Sequence, residues 1–409
     1  MFIRQGPPVI VIVVFCGEDH VSGLRYKMRI LLVSSGSGSR GGGEIFLRYV
    51  GEGLADRGHE VLMWMPEHER MDDLARKCMS FGHIIRSQYR NTYDYPARSI
   101  STHWNRRVSR RLADEWMSLR PDVIHINKQN LEDGLDLLRA TRECKVPSIC
   151  TIHLTQTARY LGAQIPWLRD WIAREALRNY GGVFVAVQEA RRSALHAFLA
   201  GRVPTRTIFN GVPLLDRARL GQVREAKRRE LGLSRSDFLI LGVGRLEQQK
   251  RPFSFLRIAR DLHEHFPKAR FLWVGDGKLA AQWKEKIACE ELDGIVSCAG
   301  WQSDVLPFLL AGDLLLHVAE FEGLPFALIE AMAAGLPCAA TSNIVAEIPF
   351  LNDKNILLAD DMRELASKLE NKATLVEVAA AAHDLIEEKL SLNTMVAAYE
   401  RLYREMGSV

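Results

Sequence analysis

The sequence lacks a long hydrophobic run. Across 409 residues the longest uninterrupted apolar stretch, Val9 to Cys16, is eight residues, less than half of what a membrane-spanning helix needs. A chain held in a bilayer by hydrophobic helices is therefore excluded, whereas a surface-associated one is not. Cysteine is scarce as well. The seven cysteines are odd in number and form no CxxC pair, so neither a disulfide framework nor a zinc site is expected, and a reducing, cytoplasmic compartment is. No Asp-x-Asp triplet occurs, so no clamp for a divalent metal is expected. Glycine (30) and proline (15) show no low-complexity excess, and with 47% hydrophobic and 25% charged residues wholesale disorder is excluded. The length suits two or three domains.

Neither sign of charge dominates the whole chain, whose net charge is +4. The halves differ, however: residues 1–209 carry 30 basic and 21 acidic side chains, and the remainder 24 and 29. The first half should prefer anions. Its densest basic stretch, His83 to Arg111, includes Arg86, Arg90, Arg98, Arg106, Arg107, Arg110 and Arg111, with Tyr89, Tyr93, Tyr95 and Trp104 between them. This reads as a solvated face with an irregular loop, or as a seat for an anionic or lipid-linked ligand or an acidic membrane surface. No motif supports nucleic acid as a partner, and none is expected.

Short β-rich runs alternate with helical stretches. Met28–Val33 reads as a strand, Glu44–Arg57 as an amphipathic helix capped by Gly58, and Glu60–Met65 as a second strand. Asp122–Ile126, Pro147–Ile152 and Val183–Val187 follow as further strands. The pattern restarts with strands at Phe238–Val243, Phe271–Val274, Ile295–Ala299 and Leu314–Val318, and helices at Pro252–His265 and Leu279–Glu290. The alternation predicts two α/β, doubly wound parallel-sheet domains, with ligands beyond the carboxyl ends of the strands. Residues 28–212 form the first and 213–390 the second. Residues 391–409 form a helix whose Met395, Tyr399 and Tyr403 make a packing stripe. Residues 1–27 read as an extension, either an extra buried strand or the product of a start codon upstream of a true start at Met28.

Three motifs carry chemistry. After the first strand, Ser34–Glu44 is a Gly/Ser loop opening onto a helix, a phosphate-type site. Gly36, Gly38 and Gly41 fit GxGxxG, and Glu67 follows the second strand, so a nicotinamide-binding oxidoreductase is one reading and a plain flexible loop another. The second motif is Glu320-Phe-Glu-Gly-Leu-Pro-Phe-Ala-Leu-Ile-Glu330. Pro325 suits the first helical position, and the amides near Glu322–Phe326 should form an anion cradle. Glu330 stands in an otherwise apolar helix and needs a polar partner, either ribose hydroxyls or a structural one. The third is Gly242-Val-Gly-Arg245-Leu-Glu-Gln-Gln-Lys250, whose two cations can reach a pyrophosphate or simply be solvated. Gly300 and Trp301, after a strand, could border a base. His153 ends another strand at the cleft face, and His125 reads as a satisfied core histidine.

Together these pieces resemble the retaining glycosyltransferases of sequence family four, which adopt the two-Rossmann GT-B architecture. The specific part is Glu322-x7-Glu330 within EGLPFALIEAMAAGLP, with Arg245 and Lys250 at their offset and Gly41-Gly42-Gly43-Glu44 as the GGxE loop. The resemblance implies transfer of a hexose-type sugar from a nucleotide-diphosphate sugar to a saccharide or lipid-linked acceptor, in envelope or exopolysaccharide synthesis, without a metal or resident cofactor. Arg245 and Lys250 would neutralise the diphosphate with the amides near Gly323 and Leu324. Glu330 would hold the ribose, and Glu322, beside Phe321, the donor sugar. His153 would approach that sugar from the first domain, Gly41 and Gly42 would close over the phosphates, and Asn210-Gly211-Val212 would be the hinge. Arg106, Arg107, Arg110 and Arg111 are the candidate acceptor or membrane patch. A non-catalytic scaffold of the same fold is the remaining alternative. Two departures stand out: Leu154 where the family often has Asp, and Gln188 where Ser is common. Neither is expected to touch the phosphate machinery.

Overall fold

Residues Ile30 to Val33 are apolar without interruption and all completely buried, as befits a strand covered on both faces. In the computed structural model, which describes residues 27–36, 41–90, 99–100, 106–215 and 220–407, they form the centre of β1 (Arg29–Ser34). β2 (Glu60–Pro66), β3 (His83–Ser87), β4 (Val123–Lys128), β5 (Ser148–Ile152), β6 (Val183–Ala186) and β7 (Thr205–Thr207) complete an all-parallel sheet in the order β3-β2-β1-β4-β5-β6-β7. β8 (Phe238–Val243), β9 (Ala269–Val274), β10 (Val296–Gly300), β11 (Leu314–His317), β12 (Cys338–Ala340) and β13 (Leu357–Leu358) make a second parallel sheet in the order β10-β9-β8-β11-β12-β13. Both orders reverse beside the first strand of their sheet. Such a switch point opens a crevice at the strands' carboxyl ends.

Helices pack on both faces. The helix Gly42–Asp56 buries Phe46, Leu47, Val50 and Leu54. Its Glu44 carboxylate accepts the Gly41 N–H at 2.9 Å, satisfying a donor that the helix start leaves over. The C-terminal helix Leu392–Gly407 returns to lie against it. There Tyr403 bonds His125 Nδ1 at 2.7 Å, Tyr399 bonds Thr151 at 3.0 Å, and Met395 accepts the Gly211 N–H at 3.1 Å. The stripe is thus structural. His125, whose Nε2 meets Thr151 at 2.8 Å, is a satisfied core histidine.

Several elements escape sequence reading. β3 lies inside the basic stretch, because His83-Ile-Ile-Arg-Ser87 is a half-exposed edge strand with only two apolar residues. β7 is a three-residue edge. β12 is Cys-Ala-Ala, small residues of weak strand preference that become a strand only through pairing with β11. Pro325 caps the helix Phe326–Ala333 from an extended conformation and is not its first residue. Most of the extension 1–27, together with Gly38, Arg98, Tyr93, Tyr95 and Trp104, falls outside the described residues.

Candidate active site in the interlobe cleft

The switch point of the second sheet lies between β8 and β11 and brings two of the sequence motifs into contact. After β8, Gly244 carries the chain into a short turn, Gln248–Lys250. After β11 comes the loop 318–325. The two are bonded together: Glu320 donates its N–H to the Gln249 carbonyl at 2.8 Å, and the Gln249 side-chain amide donates to the Phe321 carbonyl at 3.1 Å. Lys250 lays its aliphatic stem over Gly244 and pairs through Nζ with the Glu322 carboxylate. Glu322 is only 5% exposed, and His317 Nε2 lies 3.3 Å from the same oxygen. Burial pushes the Glu322 carboxyl up, but Lys250 and His317 outweigh it and hold the group at about 2. It is an anion fixed between a cation and an imidazole. Arg245, on the same turn, pairs with Glu247 at 3.0 Å. Gly300 ends the edge strand β10 and Trp301 follows it; the Gly300 carbonyl accepts the Gly275 N–H at 2.8 Å.

Glu330 has a different environment. Tyr49, from the helix Gly42–Asp56 of the first lobe, donates its hydroxyl to Glu330 Oε1 at 2.8 Å. Burial lifts the Glu330 carboxyl to about 7, against the opposing pull of the Tyr49 bond and Arg48. Gly41 and Gly42 open that same helix. A β-carbon at Gly42 would sit 3.2 Å from the Phe326 ring, so the GGxE loop and the start of the Glu330 helix do meet.

The first lobe closes on the 322–324 loop with neutral groups. The Gln188 amide donates to the carbonyls of Gly323 and of Glu322, the latter at 3.4 Å. Asn210 donates to the Leu324 carbonyl at 2.8 Å. A β-carbon on Gly323 would lie 2.4 Å from the His153 carbonyl oxygen, so only glycine permits this approach. In a trans peptide C=O and N–H point in opposite directions. With the Glu322 and Gly323 carbonyls held by Gln188, the N–H groups that share their peptide planes, those of Gly323 and Leu324, are turned away from the first lobe. The expectation that Gln188 stands apart from this machinery is therefore corrected: its side chain spans the cleft to the loop itself. An ion pair, Arg191–Glu347 at 2.9 Å, bridges the lobes beside it.

His153 sits at the carboxyl end of β5, with Nε2 2.7 Å from Asn127 Oδ1. Burial lowers its pKa to about 4, so it is a neutral imidazole. Val212, in the segment expected to be the hinge, donates its N–H to the Leu390 carbonyl at 2.9 Å and accepts the Leu392 N–H at 2.8 Å, pinning the two crossings of the chain together.

Arg106, Arg107, Arg110 and Arg111 are not brought to this site. They lie exposed on the helix Arg106–Ser118, which packs against the helix Leu135–Cys144 on the flank of the first sheet. A cavity of about 250 Å³ is lined there by Arg106, Arg139, Arg142 and Asn179, among others. Sequence reading missed His317, Tyr49 and Asn127. Only His317 carried a signal, as the last residue of a strand before the Glu322 loop. Among the described residues, the one grouping of three metal-capable side chains is His383, Asp384 and Glu387 on the helix Lys372–Lys389, outside the cleft.

Comparison with known proteins bears on the family and the fold. The profile described as Glycosyltransferase Family 4 matches residues 40–214, and that described as Glycosyl transferases group 1 matches residues 237–373. The UDP-Gal:alpha-D-GlcNAc-diphosphoundecaprenol alpha-1,3-galactosyltransferase of Escherichia coli is 34% identical over 229 residues, 54% of this chain. The match spans little more than half of that relative's length, 58%. N-acetyl-alpha-D-glucosaminyl L-malate synthase of Bacillus anthracis is 22% identical over 90% of this chain and 95% of its own. Among solved structures, Anabaena HepE in complex with UDP and glucose superposes with a TM-score of 0.70 at 17% identity, covering 91% of this chain and 98% of that one. The fold is GT-B. The oxidoreductase alternative finds no support in these comparisons.

Proposed function

The chain belongs to the family-four, group 1 glycosyltransferases by both of its lobes, and on that premise we propose that it moves a hexose from a nucleotide-diphosphate sugar to a saccharide or lipid-linked acceptor, with retention and without a metal. The observation that carries this reading is the Lys250–Glu322–His317 cluster at the second switch point, with Arg245 on the same turn. UDP is the nucleotide favoured by the relatives, since the E. coli enzyme's name specifies UDP-Gal and HepE holds UDP.

In the proposed reaction, the bond from the anomeric carbon to the β-phosphate oxygen breaks and its electron pair leaves with the phosphate. Arg245, Lys250 and the N–H groups of Gly323 and Leu324 face the growing negative charge. Preorganised donors of this kind contribute about 3 kcal/mol each to the transition state. Glu322, kept anionic, accepts hydrogen bonds from sugar hydroxyls while anchoring Lys250. Glu330 accepts the ribose hydroxyls, exchanging Tyr49 for them. The acceptor hydroxyl attacks from the face that the phosphate leaves, and its proton passes to the departing phosphate oxygen. The neutral His153, fixed by Asn127, borders the sugar without titrating near pH 7. Lobe closure through Gln188 and Asn210 excludes water.

Thermal-shift screening against UDP-, GDP-, ADP- and dTDP-hexoses tests the reading. Selective stabilisation by UDP-hexoses is expected, and stabilisation by none of the four would overturn it. Turnover insensitive to chelator is expected too. Activity abolished by EDTA and restored by magnesium would remove the metal-free mechanism.

A further inference from the structure

We propose that the segment Arg159–Trp171 docks the protein onto an anionic lipid bilayer at the mouth of the cleft. Five of the eleven exposed large hydrophobic side chains among the described residues fall within these thirteen positions. They are Tyr160 (58% exposed), Leu161 (46%), Ile165 (54%), Trp167 (65%) and Trp171 (55%). Isolated exposed apolar residues are ordinary, but a contiguous set with two tryptophans is not. Trp167 and Trp171 lie four apart on the helix Pro166–Arg178, whose opposite face buries Ile172, Ala173 and Leu177.

The segment is built to hold this display. Asp170 turns inward and accepts the N–H groups of Ala158 at 2.7 Å and Arg159 at 3.2 Å. Arg169 turns inward to the buried Glu132, with two bonds of 2.8 Å. Ile165 stands at φ +49°, a conformation that β-branched residues avoid, and keeps its side chain outside. Within the segment the outer face has no other carboxylate; Glu175, one turn beyond Trp171, is partly exposed and pairs with Arg178 at 3.3 Å. The exposed charge of the segment is Arg159, and Arg174 follows on the same helix.

Trp and Tyr with aliphatic and arginine side chains, and with the adjoining Asp170 and Glu175 both engaged by partners, compose a bilayer-interface surface. The excess of basic residues in this half of the chain provides long-range attraction to an anionic leaflet. The arginines of the helix Arg106–Ser118 reach the same flank through the helix Leu135–Cys144, which touches both neighbours. Position links the surface to chemistry. The Tyr160 ring stands edge-on to Phe321 of the donor loop, 5.5 Å between centroids. A bilayer seated here would present a lipid-linked acceptor directly to the cleft. That last step rests on the proposed transferase reading; the docking does not.

Flotation of the full chain with vesicles of phosphatidylcholine and phosphatidylglycerol in equal parts tests the docking. The wild type should float, and the pair Trp167→Ser, Trp171→Ser should bind roughly tenfold more weakly. The pair Trp167→Phe, Trp171→Phe should keep most of the binding, and stabilisation by UDP should be unchanged in both. A wild type that stays at the bottom, or a Ser variant that floats as well as wild type, overturns the proposal. So does a dimer in analytical ultracentrifugation that the Ser pair splits without altering flotation, since the face is then an interface between copies. Flotation without stabilisation by any nucleotide sugar would sink the transferase reading and leave the docking intact.

Discussion

The carboxyl ends of the two sheets make opposite contributions to one cleft. The second lobe presents charges, Lys250 paired with Glu322 and Arg245 with Glu247, beside the titratable Glu330. The first lobe presents neutral groups: Gln188, Asn210, the His153–Asn127 pair and the Tyr49 hydroxyl. The difference shows how a closing cleft avoids a penalty. Ion pairs already formed within one lobe need no fresh desolvation when the lobes meet, whereas an ion pair made only on closure would. Neutral amides that grip backbone carbonyls would let the cleft open and close with small free-energy changes in each direction, as the proposed transfer requires. Arg191–Glu347 is the exception, an ion pair between the lobes whose Glu347 also accepts the Glu322 N–H at 3.5 Å.

The comparison breaks first at Lys250. Lys250→Ala should lower turnover about 100-fold or more. It should also destabilise by about 3 kcal/mol, because Glu322 loses its cation while buried. Adding Glu322→Gln should restore the denaturant midpoint but not the turnover; recovery of both would make the pair purely structural.

Glu330→Gln comes next, with about tenfold weaker UDP binding by calorimetry. Its pH behaviour sharpens the contrast between the two glutamates. Glu330 is held at about 7 against an ordinary 4.5, so the folded state keeps its proton longer than the unfolded one. Stability from this group is full below pH 4.5 and is lost as pH rises through about 7, by roughly 3 kcal/mol in all. Glu330→Gln should abolish that slope in denaturant titrations and be the more stable form at pH 8. Glu322, held at about 2, slopes the other way: its contribution is present above 4.5 and lost as pH falls toward 2.

On the first lobe the effects are smaller. Gln188→Ala should lower kcat/KM for the donor about tenfold by loosening the 322–324 loop. Stability should move by less than about 1 kcal/mol, because the side-chain oxygen of Gln188 is buried without a partner, which offsets the bonds its amide nitrogen donates. A loss as large as that of Lys250→Ala would end the division between the lobes. The smallest effect, with the opposite sign, is expected for Tyr49→Phe. It removes the hydroxyl that occupies Glu330 and should tighten UDP binding about twofold. Weaker binding would show that Tyr49 orients Glu330 for the nucleotide.

Sequence alone was enough for the strands whose both faces are buried, such as β1 and β8, since a continuous apolar run has few other uses. It was enough, too, for the motifs at their ends, because Gly, Pro and charged residues at fixed offsets follow from local backbone geometry. What only tertiary structure decided are the partners. Tyr49 and Glu330 stand 281 positions apart, Gln188 and Gly323 135 apart. A neutral side chain in a helix or turn carries no local mark of what it will meet. Whether a buried carboxylate is anion or acid is likewise a matter of neighbours: burial raises both Glu322 and Glu330 of one short motif, but Lys250 and His317 overcome it at the first whereas Tyr49 and Arg48 do not at the second, and the two end about five pH units apart.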